Sequence, residues 1–121
     1  MPRANSIRRA VKYMRQNATR RISTSELCAV TGLNERTLRY MFELEFGVSP
    51  VRMARQLRLE LTRKELLSAD PRKRTVTEIA RRFGFEDLPL FSLTYSRKFN
   101  EPPSRTLRRR GFSVPARATV R

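Results

Sequence analysis

A chain of 121 residues can form one compact unit or two very small ones, but not a catalytic domain with a separate regulator. Its 27 basic and 11 acidic residues leave a net charge of +16, a surplus that favours a polyanionic partner, most simply nucleic acid. Histidine is absent and Cys28 is the single cysteine, which excludes histidine-based triads, zinc–histidine sites and an internal disulfide framework.

Hydrophobic residues make up 39% of the chain, which is low but sufficient for a helical core. No apolar run approaches the roughly 18 residues a membrane span needs. The opening stretch "MPRANSIRRAVKYMRQN" lacks the apolar segment of a secretory signal. With the lone cysteine, this leads us to expect a cytoplasmic protein with no membrane partner, metal or cofactor. Only four of the basic residues are lysines (Lys12, Lys64, Lys73 and Lys98). Genomic base composition explains such a bias, so the preference for arginine carries little weight.

Helix-breaking residues punctuate the chain at regular places. Ser6 is placed to cap a first helix running to about Asn17, with Ile7, Ala10, Val11 and Met14 as its apolar stripe. Thr24 or Ser25 opens a short second helix that stops at Gly32, a left-handed C-cap. Asn34 caps a third helix to about Phe46, closed by Gly47. In "GVSP", Ser49 is the N-cap and Pro50 the first residue of a long fourth helix to about Ser68. A basic linker, "ADPRKRT", follows. Thr75 or Thr77 opens a fifth helix through Phe83, stopped by Gly84. Asp87 caps a sixth, in which Pro89 is tolerable only within the first turn. A short last helix follows "NEPPS". The end, "GFSVPARATVR", has no period and reads as a flexible basic tail. The fold class expected is all-α with about seven helices.

The same unit occurs twice. Glu26, Leu27, Gly32 and Leu33 recur as Glu78, Ile79, Gly84 and Phe85. After a one-residue insertion, Leu38, Phe42 and Phe46 recur as Phe91, Tyr95 and Phe99, and Ser49–Pro50 as Pro102–Pro103. A short helix, a glycine turn and a longer helix in a basic chain form the pattern of a helix-turn-helix, whose second helix enters the DNA major groove. A generic helical hairpin is the plainer alternative for one copy. Duplication, shared spacing and the charge weigh against it. The expected divisions are 1–48 and 70–110 as two helix-turn-helix subdomains, 49–69 as a linker helix and 111–121 as the tail.

Over about residues 6–110 the sequence resembles the DNA-binding region of AraC/XylS-type transcription regulators. The resemblance lies in "SELCAVTGLNERTLRYMFELEFGVSP", in "TVTEIARRFGFEDLPLFSLTYSRKFNEPPSRTLR", and in Arg58–Leu59 of the linker. It implies two helix-turn-helix units bridged by a long helix, with the third and sixth helices in successive major grooves. It also implies sequence-specific binding of double-stranded DNA, an activator's role, RNA polymerase as a partner, and an effector-binding or dimerising domain N-terminal to this region.

Helical geometry indicates which side chains would face the DNA. At about 100° per residue, Leu38, Met41, Phe42 and Phe46 share a core face of the third helix. Arg36, Tyr40 and Glu43 lie opposite, with Thr37 and Arg39 on the flanks. Arg36 and Arg39 can offer paired donors to guanine, and Tyr40 can reach a base edge or a phosphate. The plainer reading of each arginine is a solvated surface charge. Arg36 matches the family's pattern, whereas Tyr40 stands where arginine is common. In the sixth helix Phe91, Tyr95 and Phe99 face the core, which leaves Pro89, Ser92, Leu93 and Ser96 outward. Family members often place polar or arginine side chains at the Pro89 and Leu93 positions, and Asn100 replaces a common glycine. Phosphate contacts are expected from Arg20 and Arg21 before the second helix, from Arg72, Lys73 and Arg74 before the fifth, and from Arg97 and Arg105 late in the second unit.

Two rival functions are weighed against this reading. For an enzyme the nucleophile would be Cys28, but it stands where the family has a small buried residue, beside Leu27; a packed thiol fits better. A basic structural RNA-binding protein would share the charge.

Overall fold

The computed structural model describes residues 2–109. Six α-helices follow one another: α1 (Pro2–Gln16), α2 (Thr24–Thr31), α3 (Glu35–Phe46), α4 (Pro50–Ser68), α5 (Val76–Arg82) and α6 (Leu88–Phe99). A further helical stretch, α7, covers 103–109, and there is no strand among the described residues. The chain is all-α, as expected. The tail expected over 111–121 lies outside the described residues. No helix among them is long and apolar enough to cross a membrane.

The chain divides into two compact units, with the division between Arg58 and Leu59, inside α4. The long helix serves both cores rather than standing apart as a linker. Ala54 and Leu57 belong to the first core, Leu59 and Leu66 to the second.

In the first unit Ile7, Ala10 and Met14 of α1, Leu27 of α2, and Leu38 and Phe42 of α3 pack together, with Ile22 from the α1–α2 connection. Complete burial of a Leu or Phe side chain contributes on the order of 1.5–3 kcal/mol, so this apolar stripe outweighs any one polar contact here. The half-buried Cys28 packs against the same cluster. Three local expectations are corrected. Helix α1 begins at Pro2, so Ser6 is interior; its buried hydroxyl donates to the Thr31 carbonyl at 3.2 Å and ties α1 to the end of α2. Ser23, not Thr24 or Ser25, caps α2, because its hydroxyl and the Glu26 carboxylate each accept from the other's backbone amide. Phe46, expected in the core, keeps 37% of its surface exposed and stacks on Phe42 at 5.3 Å.

The second unit is built around aromatic rings. Phe85, Phe91, Tyr95 and Phe99 form a chain with successive centroids 4.9, 5.6 and 4.6 Å apart. Thr75 caps α5 with the same reciprocal device, now with Glu78. The buried Tyr95 hydroxyl donates to Thr106 Oγ1 at 2.8 Å, Thr106 donates to the buried Glu101 carboxylate, and Arg109 neutralises that carboxylate at 2.9 Å. This polar chain fastens α7 onto α6. In sequence "NEPPS" marks only a helix start, since none of these partners is close enough along the chain to leave a pattern.

Candidate nucleic-acid interface

The first unit breaks a helix and restarts it at once because of its caps. Gly32 ends α2 at φ +77°, ψ 9°, and its amide donates to the Cys28 carbonyl at 2.8 Å. A Cβ at Gly32 would meet nothing within 4 Å, so left-handed backbone, not space, is what requires glycine there. The Thr31 hydroxyl then accepts from the Leu33 amide, and Asn34 Oδ1 accepts from the Thr37 amide at 2.8 Å to open α3. A single residue, Leu33, therefore separates the cap of one helix from that of the next. The reversal is tight enough to let Leu27, Leu38 and Phe42 close one core, so the other side of α3 faces outward.

That outer side gathers Glu35, Arg36, Arg39, Tyr40 and Glu43 around one shallow concavity of about 410 Å³. Arg36 is exposed and makes no ion pair among the described residues. Arg39 is held by Glu35 one turn earlier at 2.8 Å. An exposed i,i+4 pair of this kind is worth about 0.3–0.5 kcal/mol, so Arg39 is readily released. Tyr40 is 63% exposed. Thr37 is half-buried, with its amide engaged by the cap. Glu35 went unremarked in the sequence, although its spacing from Arg39 was the available signal.

A second basic surface joins Arg21, expected on phosphate, to arginines of α4 that the sequence did not single out for DNA contact. Arg21, Arg52, Arg55 and Arg58 surround a cleft of about 600 Å³ beside the capping serines Ser23 and Ser49. Burial, then the neighbouring charges of Arg21 and Arg55, lowers the Arg58 guanidinium to about 10. A phosphate oxygen entering the cleft would relieve that repulsion. The one carboxylate lining it among the described residues, Glu26, is already committed. Arg20 donates to it at 2.7 Å, the Tyr13 hydroxyl at 2.8 Å, and the Ser23 amide at 3.0 Å. These bonds, Arg20's first, bring Glu26 down to about 2. Arg20, expected on phosphate, thus fastens α2 to α1. The i,i+3 spacing of Arg52 and Arg55 behind the Ser49–Pro50 cap was legible, but their approach to Arg21 required the fold.

In the second unit Asp87 caps α6 by accepting from the Leu90 amide at 3.1 Å, with Pro89 in the first turn, where it is tolerated. The outward face is apolar: Leu90 and Leu93 are 51% and 48% exposed, and Ser92 is half-buried between them. Leu90, about 140° round the helix from Tyr95, joins the outward positions expected from the sequence, and the helical period was the available signal. Of the basic residues before α5, Arg72 pairs with Asp70 at 3.3 Å and Arg74 with Glu65 at 3.1 Å, while Lys73 is exposed. The Asp70 carboxyl is held below its ordinary value by the Arg72 amide and then its guanidinium. Arg97 and Arg105 are exposed and make no ion pair among the described residues.

Comparison with known proteins identifies the duplicated unit. Residues 27–109 match the helix-turn-helix domain family. The "Probable thc operon regulatory protein" of Rhodococcus erythropolis is 34% identical over 102 residues, 84% of this chain and 31% of that protein. The "XylDLEGF operon transcriptional activator 1" of Pseudomonas putida is 35% identical over 105 residues, 87% of this chain and 32% of that protein. The chain therefore spans about a third of the length of these curated relatives. Among solved structures, a probable AraC family transcriptional regulator from Rhodopseudomonas palustris superposes with a TM-score of 0.78 at 32% identity, over 88% of this chain and 97% of that one. An AraC-type DNA-binding domain protein from Chromobacterium violaceum gives 0.82 at 26% identity, over 93% and 96%. These relatives are transcription regulators, which sets aside the structural RNA-binding alternative. The duplicated helix-turn-helix, its caps and these matches agree: the chain belongs to the AraC/XylS-type family of transcription regulators and is a DNA-binding domain of that type.

Proposed function

We propose that this domain reads a bipartite site on double-stranded DNA in the cytoplasm, with α3 and α6 in successive major grooves. One observation carries the reading: α3 buries Leu38 and Phe42 completely while presenting Arg36 exposed beside Arg39 and Tyr40. Arg36 donates to guanine O6 and N7, Arg39 does so after leaving Glu35, and Tyr40 and Thr37 contact the edges alongside. Ser92 and Leu93 touch the second segment. Arg21, Lys73, Arg97 and Arg105 hold phosphates, joined by Arg52 and Arg55, and by Arg72 and Arg74 once they exchange their carboxylates for DNA. Arg20 stays with Glu26. The domain acts by binding rather than by catalysis. In a whole regulator it would work with RNA polymerase and an N-terminal effector or dimerisation domain, and activation is the role that the Pseudomonas putida relative's name supports.

Titration of a duplex at increasing salt tests the reading. Several neutralised phosphates imply a slope of log affinity against log salt on the order of −4 to −7. An affinity nearly flat between low and physiological salt would overturn it.

A further inference from the structure

A mainly apolar groove in the first unit lies away from the arginine cleft, between α1 and the end of α3. It has a volume of about 580 Å³ and is lined by Ile7, Val11, Met41, Leu44 and Phe46, with Arg8, Lys12 and Arg15 on the α1 side and the single carboxylate of Glu45 on the α3 side. Leu44 is 73% exposed and Phe46 37%, although Leu38, Met41 and Phe42 on the same helix are buried or half-buried. The ring contact with Phe42 holds Phe46 in place, so this wall is preset.

The charge pattern on α1 indicates what fits. Arg9 turns the other way and donates to the Thr31 and Val30 carbonyls at 3.1 and 3.4 Å, a structural use. Arg8, Lys12 and Arg15, at i, i+4 and i+7, form a row beside the groove, and none makes an ion pair among the described residues. A phosphate backbone would be served by the row but not by an apolar floor. A second copy would bring another +16 of like charge against it. An apolar floor with one basic rim is the complement of an amphipathic helix whose leucine face enters the groove and whose acidic flank lies along α1.

We propose that the α1–α3 groove is a docking surface for an acidic amphipathic helix of a second protein. The incoming helix places its apolar side chains, at i, i+3, i+4 and i+7, against Leu44, Met41 and Val11. Its carboxylates meet Arg8, Lys12 and Arg15. Apolar burial supplies most of the affinity, and the charges fix orientation and approach rate.

The test uses a fluorescent 16-residue peptide with leucines at that spacing and glutamates elsewhere, and a second peptide of the same composition in scrambled order. Anisotropy is read against the full chain, alone and saturated with duplex DNA. The expected result is that the patterned peptide binds in both states, at least about tenfold more tightly than the scrambled one. Leu44→Ser and Arg15→Glu should each weaken it about tenfold or more while the melting temperature and DNA affinity stay put, since both side chains are exposed. Equal binding of the two peptides, or loss of binding when DNA is added, would overturn the proposal, because the basic surface alone would then be responsible. So would a concentration-dependent dimer in sedimentation that Leu44→Ser abolishes, because the groove would then belong to a second copy.

Discussion

The two long helices that follow the tight turns, α3 and α6, are nearly the same object on the inside and opposites on the outside. Both have 12 residues. Each is opened by an Asn or Asp side chain accepting from the amide three residues on, and each is closed by a residue in the left-handed region, Gly47 at φ 74° and Asn100 at φ 60°. Each buries its central aromatic completely, Phe42 in one and Tyr95 in the other. Outside, α3 shows arginines, carboxylates and a tyrosine, while α6 shows Leu90, Leu93, Pro89 and half-buried serines. The difference teaches that the two copies share what folds the unit and differ in the side chains they turn outward.

If the two scaffolds are equivalent, emptying a buried phenylalanine position in each should cost much the same. Phe42→Ala and Phe91→Ala, both at core positions of their helices, should each destabilise by about 3–5 kcal/mol in urea unfolding. A loss under about 1 kcal/mol for either would break the equivalence, since that core would then collapse around the gap.

The outer faces should differ more sharply. Arg36→Ala should cost roughly 1–3 kcal/mol on the preferred duplex and relax discrimination at one base pair. Leu93→Ala should change the selected sequence little, because an exposed leucine can at most contact a thymine methyl. Selection from a random duplex pool reads both at once. We expect two segments about ten base pairs apart, strongly specified under α3 and degenerate under α6. Equal information in the two segments would sink the asymmetry.

The closing caps give a smaller contrast. Asparagine tolerates left-handed backbone better than alanine does, but less well than glycine. Asn100→Ala should therefore lower stability by about 1 kcal/mol, and Asn100→Gly should leave it unchanged or raise it by a few tenths in the same unfolding assay.

The opening caps differ in their partners. Glu26 has Arg20 and Tyr13 in addition to Ser23, whereas the Glu78 contacts are those of its cap with Thr75. Glu26 binds its proton less readily in the folded chain than in the unfolded one, so its contribution is complete above its ordinary 4.5 and is lost as pH falls toward about 2. The half-exposed pair makes the effect modest. Glu26→Gln should flatten the acid limb of the stability curve over that interval.

How much of this was legible in the sequence follows from distance along the chain. The caps at Asn34 and Asp87 and the turns at Gly32 and Gly47 depend on neighbours within four residues, and they stood in the pattern, which left Thr75 and Thr77 both open for α5. So did the buried faces of α3 and α6, which follow from helical period. Ser23 was missed by one residue because Thr24 and Ser25 are equally good capping types, and only the reciprocal bond with Glu26 decides among them. Arg20 and Arg58 were beyond reach for another reason. What an arginine meets depends on which elements converge on it: Tyr13 and Glu26 reach Arg20, and Arg21 reaches Arg58, only through the fold. Phe46 failed through its place in the last turn, where the helix has run past the elements that would cover it.

Cys28 lends itself to a further use. It is the chain's single thiol, half-buried against the first core and with no counterpart in the second. Its rate of alkylation under native conditions is therefore a clock for breathing of the first unit alone, read without adding any label site. Compared with amide exchange across α5 and α6, that clock would show whether the two halves open together or separately.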